Sequence, residues 1–222
     1  LSIYLLDQGF KYSDVSLVVS FSFLTSMIAQ PAIGVLSDNF SHKMVNAILF
    51  TLAGLGGIYF IHATTLVEIL IGYSFVMTLI NGTNPLMEKI ATTSKFKYGS
   101  IRIWGTLGFA MGSQLSGILY DNIAPEMVYV AFIVSIILSV LGVLGTEEDE
   151  AAAYRIKERK KAKKSTAGIK RLFKNKNFII YVLIASIYFG TTNIGHTYIA
   201  PMLEYQGIPI SVVSTILMVA VV

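Results

Sequence analysis

The chain has 222 residues, of which 54% are hydrophobic and 14% charged, with a mean hydropathy of +0.67. Soluble domains carry about 25% charged residues, so this composition excludes an ordinary cytosolic enzyme, and the apolar content excludes a disordered chain. With no cysteine, disulfide scaffolds, thiolate zinc sites and cysteine nucleophiles drop out, and the formal net charge of +4 takes its meaning from where the basic residues lie.

Residues 1–6 open the chain as a short apolar stretch that reads as the tail of a helix. Apolar runs near the roughly 20 residues that a bilayer-crossing helix requires follow at 16–36, 44–61, 66–88, 101–120, 127–144 and 178–200. The run from 210 to 222 is apolar but shorter. Such runs recur along the whole chain, so a secretory signal peptide does not account for them. Gly, Ser and Thr are scattered through them, which suits helix-on-helix packing in lipid, where small residues let backbones approach. Both ends fall inside apolar segments, so the expectation is a piece of a protein about twice as long, carrying helices 1–8 with the first and last truncated.

The connections alternate in charge. Sixteen of the 17 Lys and Arg fall at every second one: Lys43, then Lys89, Lys95, Lys97 and Arg102, then the run from Arg155 to Lys176. Lys11 is the exception. The other connections carry Asp7, Asp14, Asp121, Glu126 and Glu204. Cytoplasmic loops hold the excess of basic residues, which predicts that 39–43, 89–100 and 146–176 face the cytoplasm. The last of these pairs an acidic block, Glu147 to Glu150, with the basic run. No aromatic platform or recognition helix accompanies that charge, so nucleic acid is not the expected partner; anionic headgroups are.

An internal repeat joins two distant segments. Gln8-Gly9-Phe10-Lys11-Tyr12-Ser13-Asp14-Val15-Ser16 aligns with Gln206-Gly207-Ile208-Pro209-Ile210-Ser211-Val212-Val213-Ser214, identical at five of nine positions. Both follow an apolar run and lead into the next. Transporters built as two parallel halves show weak internal symmetry of this kind.

The turn Gly34-Val35-Leu36-Ser37-Asp38-Asn39-Phe40-Ser41-His42-Lys43 resembles the Gly-x-Leu-x-Asp-Arg-x-Gly-Arg-Lys motif of the major facilitator superfamily, which lies between helices 2 and 3. Gly34, Leu36, Asp38 and Lys43 match; Asn39, Ser41 and His42 depart from it. A second stretch, Tyr98-Gly99-Ser100-Ile101-Arg102-Ile103-Trp104-Gly105-Thr106-Leu107-Gly108-Phe109, together with Pro85-Leu86-Met87-Glu88, is similar to the helix 4–helix 5 region of the oligosaccharide and nucleoside proton symporters, the branch that includes lactose permease. The resemblance implies an all-α membrane protein with the major facilitator fold, two six-helix bundles in the complete protein. It divides this chain into an N-terminal bundle (1–145), a cytoplasmic central loop (146–176) and the start of a C-terminal bundle (177–222). It also implies that Gly34, Asp38 and Lys43 serve a conformational gate on the cytoplasmic side. Glu88 and Arg102 would bind solute hydroxyls, and Phe109 would pack on a sugar ring where that branch has a Trp.

Intramembrane ionisable and polar residues are functional candidates by default. Glu88 and Arg102 lie near span ends, where the alternative is snorkelling to the interface. Asn81 and Asn84 precede Pro85, which frees a carbonyl one turn earlier; amides there either line a cavity or bond between helices. Asn193 and His196, three apart, share a helix face. His196 is a candidate for proton coupling, with a neutral packing role as the alternative. Trp104 and the tyrosines read as interface anchors or packing. No Gly-x-Ser-x-Gly elbow, His-Glu-x-x-His motif or phosphate loop occurs, and His42, His62 and His196 are dispersed, so no metal site and no enzyme is expected. The expected activity is secondary active transport of a small polar solute, a sugar or oligosaccharide, by proton-coupled symport in the cell membrane. The expected protein is a monomer with no cofactor besides the proton gradient. Nucleoside uptake and drug efflux are the alternatives.

Overall fold

The computed structural model describes residues 1–146 and 174–221. Among them every element is a helix: α1 (Ser2–Asp7), α2 (Tyr12–Asn39), α3 (His42–Ile61), α4 (Leu66–Thr93), α5 (Tyr98–Asn122), α6 (Met127–Gly145), α7 (Lys176–Tyr205) and α8 (Ile210–Val221). The acidic block and residues 155–173 of the basic run lie outside the described residues.

The helices begin where a side chain can satisfy the first free amides. At α4 the Thr65 hydroxyl accepts the Glu68 N–H at 3.3 Å, while the Glu68 carboxylate accepts the Thr64 and Thr65 N–H groups at 3.0 Å each. Ser41 receives the Met44 N–H at the start of α3, and Asn175 receives those of Asn177 and Phe178 at α7. Capping extends the helices beyond the apolar runs, so the connection expected over 89–100 shrinks to residues 94–97 and that over 39–43 to residues 40–41. Within the helices, hydroxyls turn inward on their own backbone. Thr51, Ser135, Ser139, Ser186, Thr191 and Thr192 each donate to the carbonyl four residues back, at 2.7–2.9 Å, which keeps them satisfied where no water is available.

Five helices, α2, α3, α4, α6 and α7, are long and apolar enough to cross a membrane. The sequence predicts a sixth span at 101–120. There α5 is 25 residues long but is not among the five. Its Arg102, Thr106, Ser113, Gln114 and Ser116 lower its apolarity, because one side of it faces a polar cavity and α8. Large apolar side chains on the outer surface, such as Ile28 at 68% and Leu138 at 63% exposure, suit contact with lipid tails.

Three apolar clusters hold α1–α4 and α6 together, with Tyr120 of α5 packed against the first. Toward the end carrying Asp7 and Glu126, here the acidic end, Tyr4, Leu5, Val15, Val18, Phe60 and Ile69 pack around an aromatic group. In that group the Tyr4 and Tyr129 rings meet edge-on at 5.0 Å, and Phe60 lies 4.9 Å from Tyr129. Toward the opposite, basic end, Ile33 of α2 packs with Val45, Leu49 and Ala53 of α3 and with Leu79 and Leu86 of α4. The third cluster joins Phe50 of α3 to Ile136 and Val143 of α6. Glycines set the spacing. A Cβ on Gly56 would come within 2.8 Å of Phe75 and 2.9 Å of Val76, and one on Gly57 within 3.0 Å of Phe132. Thus α3 is wedged between α4 and α6 by its Gly56–Gly57 pair. Across the bundle, Thr78 donates to Thr25 at 3.0 Å and Asn81 to Ser26 at 3.1 Å, so Asn81 bonds between helices.

The two copies of the repeat fold alike. Gly9 and Gly207 stand at φ 86° and 81°, the left-handed conformation that only glycine adopts freely. In each copy the glycine N–H bonds three residues back and the next N–H five back: Gly9 to Leu6 and Phe10 to Leu5, Gly207 to Glu204 and Ile208 to Leu203. This is the Schellman ending, and it turns α1 into α2 and α7 into α8 by the same geometry.

Overpacking the wedge will destabilise it. Gly56→Ala, whose Cβ has no room against α4, is expected to lower stability by about 1–3 kcal/mol. Gly142→Ala, with nothing within 4 Å of its Cβ, is expected to leave it unchanged or higher. Thermal unfolding of the two variants in detergent checks the contrast.

Candidate functional site

A cavity of about 430 Å³ lies among α1, α2, α4, α5, α7 and α8, bounded also by the start of α6. Its volume falls within the range of small-molecule sites, about 300–1,000 Å³. Its polar lining comes from Ser2, Ser22, Ser113, Ser116, Asn193, His196 and Thr197, and tyrosines 4, 73, 120 and 129 wall the acidic end. Of the residues singled out from the sequence, it brings together Asn193 and His196, one turn apart on α7.

The hydrogen bonds of the lining have a common direction. Ser22 donates its hydroxyl proton to the Val19 carbonyl at 2.7 Å, Ser116 to Ser113 at 2.8 Å, Thr197 to Asn193 at 2.8 Å, and Ser2 to Thr197 at 3.4 Å. The Asn193 amide N–H donates to the Phe189 carbonyl at 2.8 Å. Each of these groups has spent one donor on backbone, which leaves the hydroxyl lone pairs and, on Asn193, the amide oxygen and a second N–H. The cavity therefore offers many acceptors, beside the hydroxyl donors of Ser113, Tyr73 and Tyr129. His196 makes no hydrogen bond among the described residues, which leaves its imidazole one donor and one acceptor for whatever enters.

Glu88 and Arg102 form a separate site. Arg102 donates to Glu88 at 3.3 Å, and the Tyr98 hydroxyl donates to the other carboxylate oxygen at 2.5 Å. The two charged side chains are 46% and 68% exposed. Arg102 precedes Ser113 by 11 residues, about 16 Å along a helix, so the pair stands toward the basic end, away from the cavity. Phe109, two turns beyond Arg102 and so on its face of α5, is exposed and outside the cavity lining, as is Asn84 of α4. The spacing of Tyr98, Arg102, Phe109, Ser113, Ser116 and Tyr120 makes one stripe along α5, joining the carboxylate–guanidinium pair to the cavity. Tyr98, Ser113 and Ser116 were not singled out from the sequence, although their three- and four-residue spacing from Arg102, Phe109 and each other was there to find them.

The three expected gate residues differ in their surroundings. Lys43 donates to the Thr146 carbonyl at 2.9 Å, placing a cation at the C-terminal end of α6, where the helix dipole favours it. Asp38 is exposed in the last turn of α2. A Cβ on Gly34 would meet nothing within 4 Å. A close approach beside it falls on Gly82 of α4, whose Cβ would come within 2.5 Å of Ile33. Among the described residues no three His, Cys, Asp or Glu side chains gather as metal ligands.

The whole chain, residues 1–222, matches the MFS_1 like family. The chain belongs to that family. It is thus a multi-pass membrane protein of the major facilitator superfamily. It is 25% identical over 230 residues to the uncharacterized transporter YwbF of Bacillus subtilis, covering all of this chain and 55% of that one. It is 29% identical over 139 residues to the maltose permease of Geobacillus stearothermophilus, covering 60% of this chain and 35% of the permease. To the raffinose permease of Escherichia coli it is 26% identical over 133 residues, 54% of this chain and 31% of that one. The chain spans about half the length, or less, of these relatives. Family and relatives are transporters, which points away from an enzyme. No solved structure matches.

The Glu88–Arg102 pair contributes little to the fold of this transporter. Exposed pairs are worth about 0–1 kcal/mol, so a double-mutant cycle on Glu88→Gln and Arg102→Gln is expected to give a coupling below about 1 kcal/mol in thermal unfolding. A larger coupling would show that the pair is shielded from water in the complete protein.

Proposed function

We propose that the chain is part of a proton-coupled symporter that carries a sugar or oligosaccharide across the cell membrane by alternating access. The observation that carries this is the acceptor-rich cavity. A solute that satisfies spent hydroxyls and an amide oxygen has to bring its own donors, several of them closely spaced, and a polyol does so. A lipophilic cation has too few such donors to match this lining. The names of two relatives, a maltose and a raffinose permease, support the same class.

In this reading α1–α6 form one half and α7–α8 begin the other, with the basic connections in the cytoplasm. Solute hydroxyls donate to Asn193 and the lining serines and exchange hydrogen bonds with His196. Glu88, Arg102 and Tyr98 act at the mouth on the basic end. There the carboxylate accepts from a solute hydroxyl as it gives up Tyr98 or the guanidinium, so no charge is left bare. Phe109 and Asn84 flank that path. His196 carries the coupled proton, an imidazole being the side chain whose charge changes near neutral pH. Gly34, Asp38 and Lys43 belong to the gate on the cytoplasmic side, where Lys43 ties the end of α6 to the start of α3.

The test is uptake by the complete protein in proteoliposomes, over a panel of mono-, di- and trisaccharides, nucleosides and cationic dyes, with and without an imposed pH gradient. At least one saccharide is expected to accumulate with the gradient and only to equilibrate without it. Arg102→Ala is expected to lower that uptake at least about tenfold, the scale of a charge-assisted hydrogen bond lost. Ser113→Leu, which fills the cavity, is expected to abolish it. Accumulation of nucleosides or extrusion of dyes, with saccharides ignored, overturns the proposal.

A further inference from the structure

The second copy of the repeat begins a helix that lacks a cap of its own. In the first copy Asp14, in the first turn of α2, accepts the Lys11 N–H at 3.0 Å. The matching positions before and in α8 are Pro209 and Val212. One has no N–H to give and the other no carboxylate to receive it. A carboxylate reaches α8 from a different helix instead: Asp121, in the last turn of α5, accepts the Ser211 N–H at 2.7 Å. Its charge stands at the positive end of the α8 dipole.

The helices are fitted to each other around this bond. Gly117, one turn before Asp121, lies so close to α8 that a Cβ there would come within 2.6 Å of the Ser214 Cβ and 3.2 Å of the Ile210 carbonyl oxygen. One turn earlier, Gln114 accepts the Thr215 hydroxyl at 2.9 Å. Gln114, Gly117 and Asp121 thus make one stripe that meets Ser211, Ser214 and Thr215. Beside it the Tyr120 hydroxyl donates to Asp7 of α1, and Ser16 of α2 bonds Tyr198 of α7 at 2.5 Å. Each of these contacts lies toward the acidic end of the cavity.

The helix ending that supplies the carboxylate occurs twice in the sequence. Gly34-Val35-Leu36-Ser37-Asp38-Asn39 closes α2 at the basic end, and Gly117-Ile118-Leu119-Tyr120-Asp121-Asn122 closes α5 at the acidic end. Gly, Leu, Asp and Asn coincide, and each helix stops at its Asn.

We propose that Asp121 is the latch of the acidic end. Its carboxylate caps α8 while that end of the cavity is closed, and lets go of Ser211 when α5 and α8 separate to admit solute. Removing the outside carboxylate favours separation, since the α8 terminus then loses its cap and only the Gly117 contact and the Gln114–Thr215 bond remain to hold it against α5. The proposal rests on the alternating-access reading above.

The test uses the complete protein in sealed vesicles, with Ser113→Cys as the only cysteine and a membrane-impermeant maleimide applied from either side. In the otherwise unchanged protein the introduced thiol is expected to react slowly from the acidic-end side and faster from the other. Asp121→Ala is expected to speed the acidic-side reaction about fivefold, the scale of one lost cap. Adding Val212→Asp gives α8 a carboxylate from within, at a half-exposed position. With both changes the reaction is expected to stay fast, because the helix is whole again but the tie to α5 is still missing. A rate unchanged by Asp121→Ala, or one that Val212→Asp restores to its starting value, overturns the latch; the second outcome makes Asp121 only a structural cap. If the thiol reacts from neither side in the unchanged protein, alternating access falls and takes the latch with it. If it reacts from the basic-end side but Asp121→Ala has no effect on the other, the latch alone falls.

Discussion

Hydrocarbon offers a peptide group no hydrogen bond, and the architecture of this chain follows from that single deprivation. A backbone amide that finds no partner in a bilayer costs several kcal/mol, so each long apolar run closes its bonds on itself as a helix. The unsatisfied groups are pushed to the helix ends, where Thr65, Glu68, Ser41, Asn175 and Asp14 receive them. The same rule governs side chains. Serines and threonines within the apolar helices give their protons to carbonyls of the preceding turn. Because lipid is as apolar as leucine, helix contact has little hydrophobic drive and relies on close fit. That is why the tightest approaches are at Gly56, Gly82 and Gly117.

The recognition chemistry of the cavity is a by-product of this economy. A hydroxyl that donates to its own helix is half used, and a ring of them shows only lone pairs to the space between. Selectivity for donor-rich solutes then requires no dedicated charged residue at the centre. It needs helices placed so that the half-used groups converge, as Ser22, Ser116, Asn193 and Thr197 do. On that surface His196 and the hydroxyls of Ser113, Tyr73 and Tyr129 are groups that do not donate to their own backbone.

Much of the fold was legible in the sequence because the constraint acts on composition. Apolar runs located all eight helices of the described residues to within about five residues at each end, and the alternation of basic and acidic connections ordered their ends. The repeat announced the two Schellman turns, whose glycines need a left-handed backbone. Errors clustered where a tertiary contact decided the outcome. Glu88 with Arg102 and Asn193 with His196 were recognised as pairs, but nothing in local spacing separates the two sites by several helix turns. Tyr98 was quoted in a motif without a role, and its bond to Glu88 depends on how α4 and α5 turn toward each other.

The contacts divide into two kinds by strength, and the division is what a moving protein requires. Within α1–α4 and α6 the helices are joined by buried clusters of Ile, Leu, Val and aromatic rings, where removing one large side chain costs about 2–5 kcal/mol. The helix α5 packs more on α8 than on α4 or α6, and that join combines the close approach at Gly117 with a hydroxyl–amide bond and one helix cap, of which each bond is worth about 1 kcal/mol. Reversing a two-state population from 1:99 to 99:1 takes about 5.5 kcal/mol. In the proposed transport cycle a bound solute with several hydrogen bonds supplies that difference against the second kind of contact, while the clusters of α1–α4 and α6 survive intact. An interface built from leucines would hold the acidic end shut. One built from a borrowed cap on a helix that lacks its own can be broken in every cycle and remade, because Ser211 and Asp121 return to the same short geometry whenever Gly117 lets the two helices close.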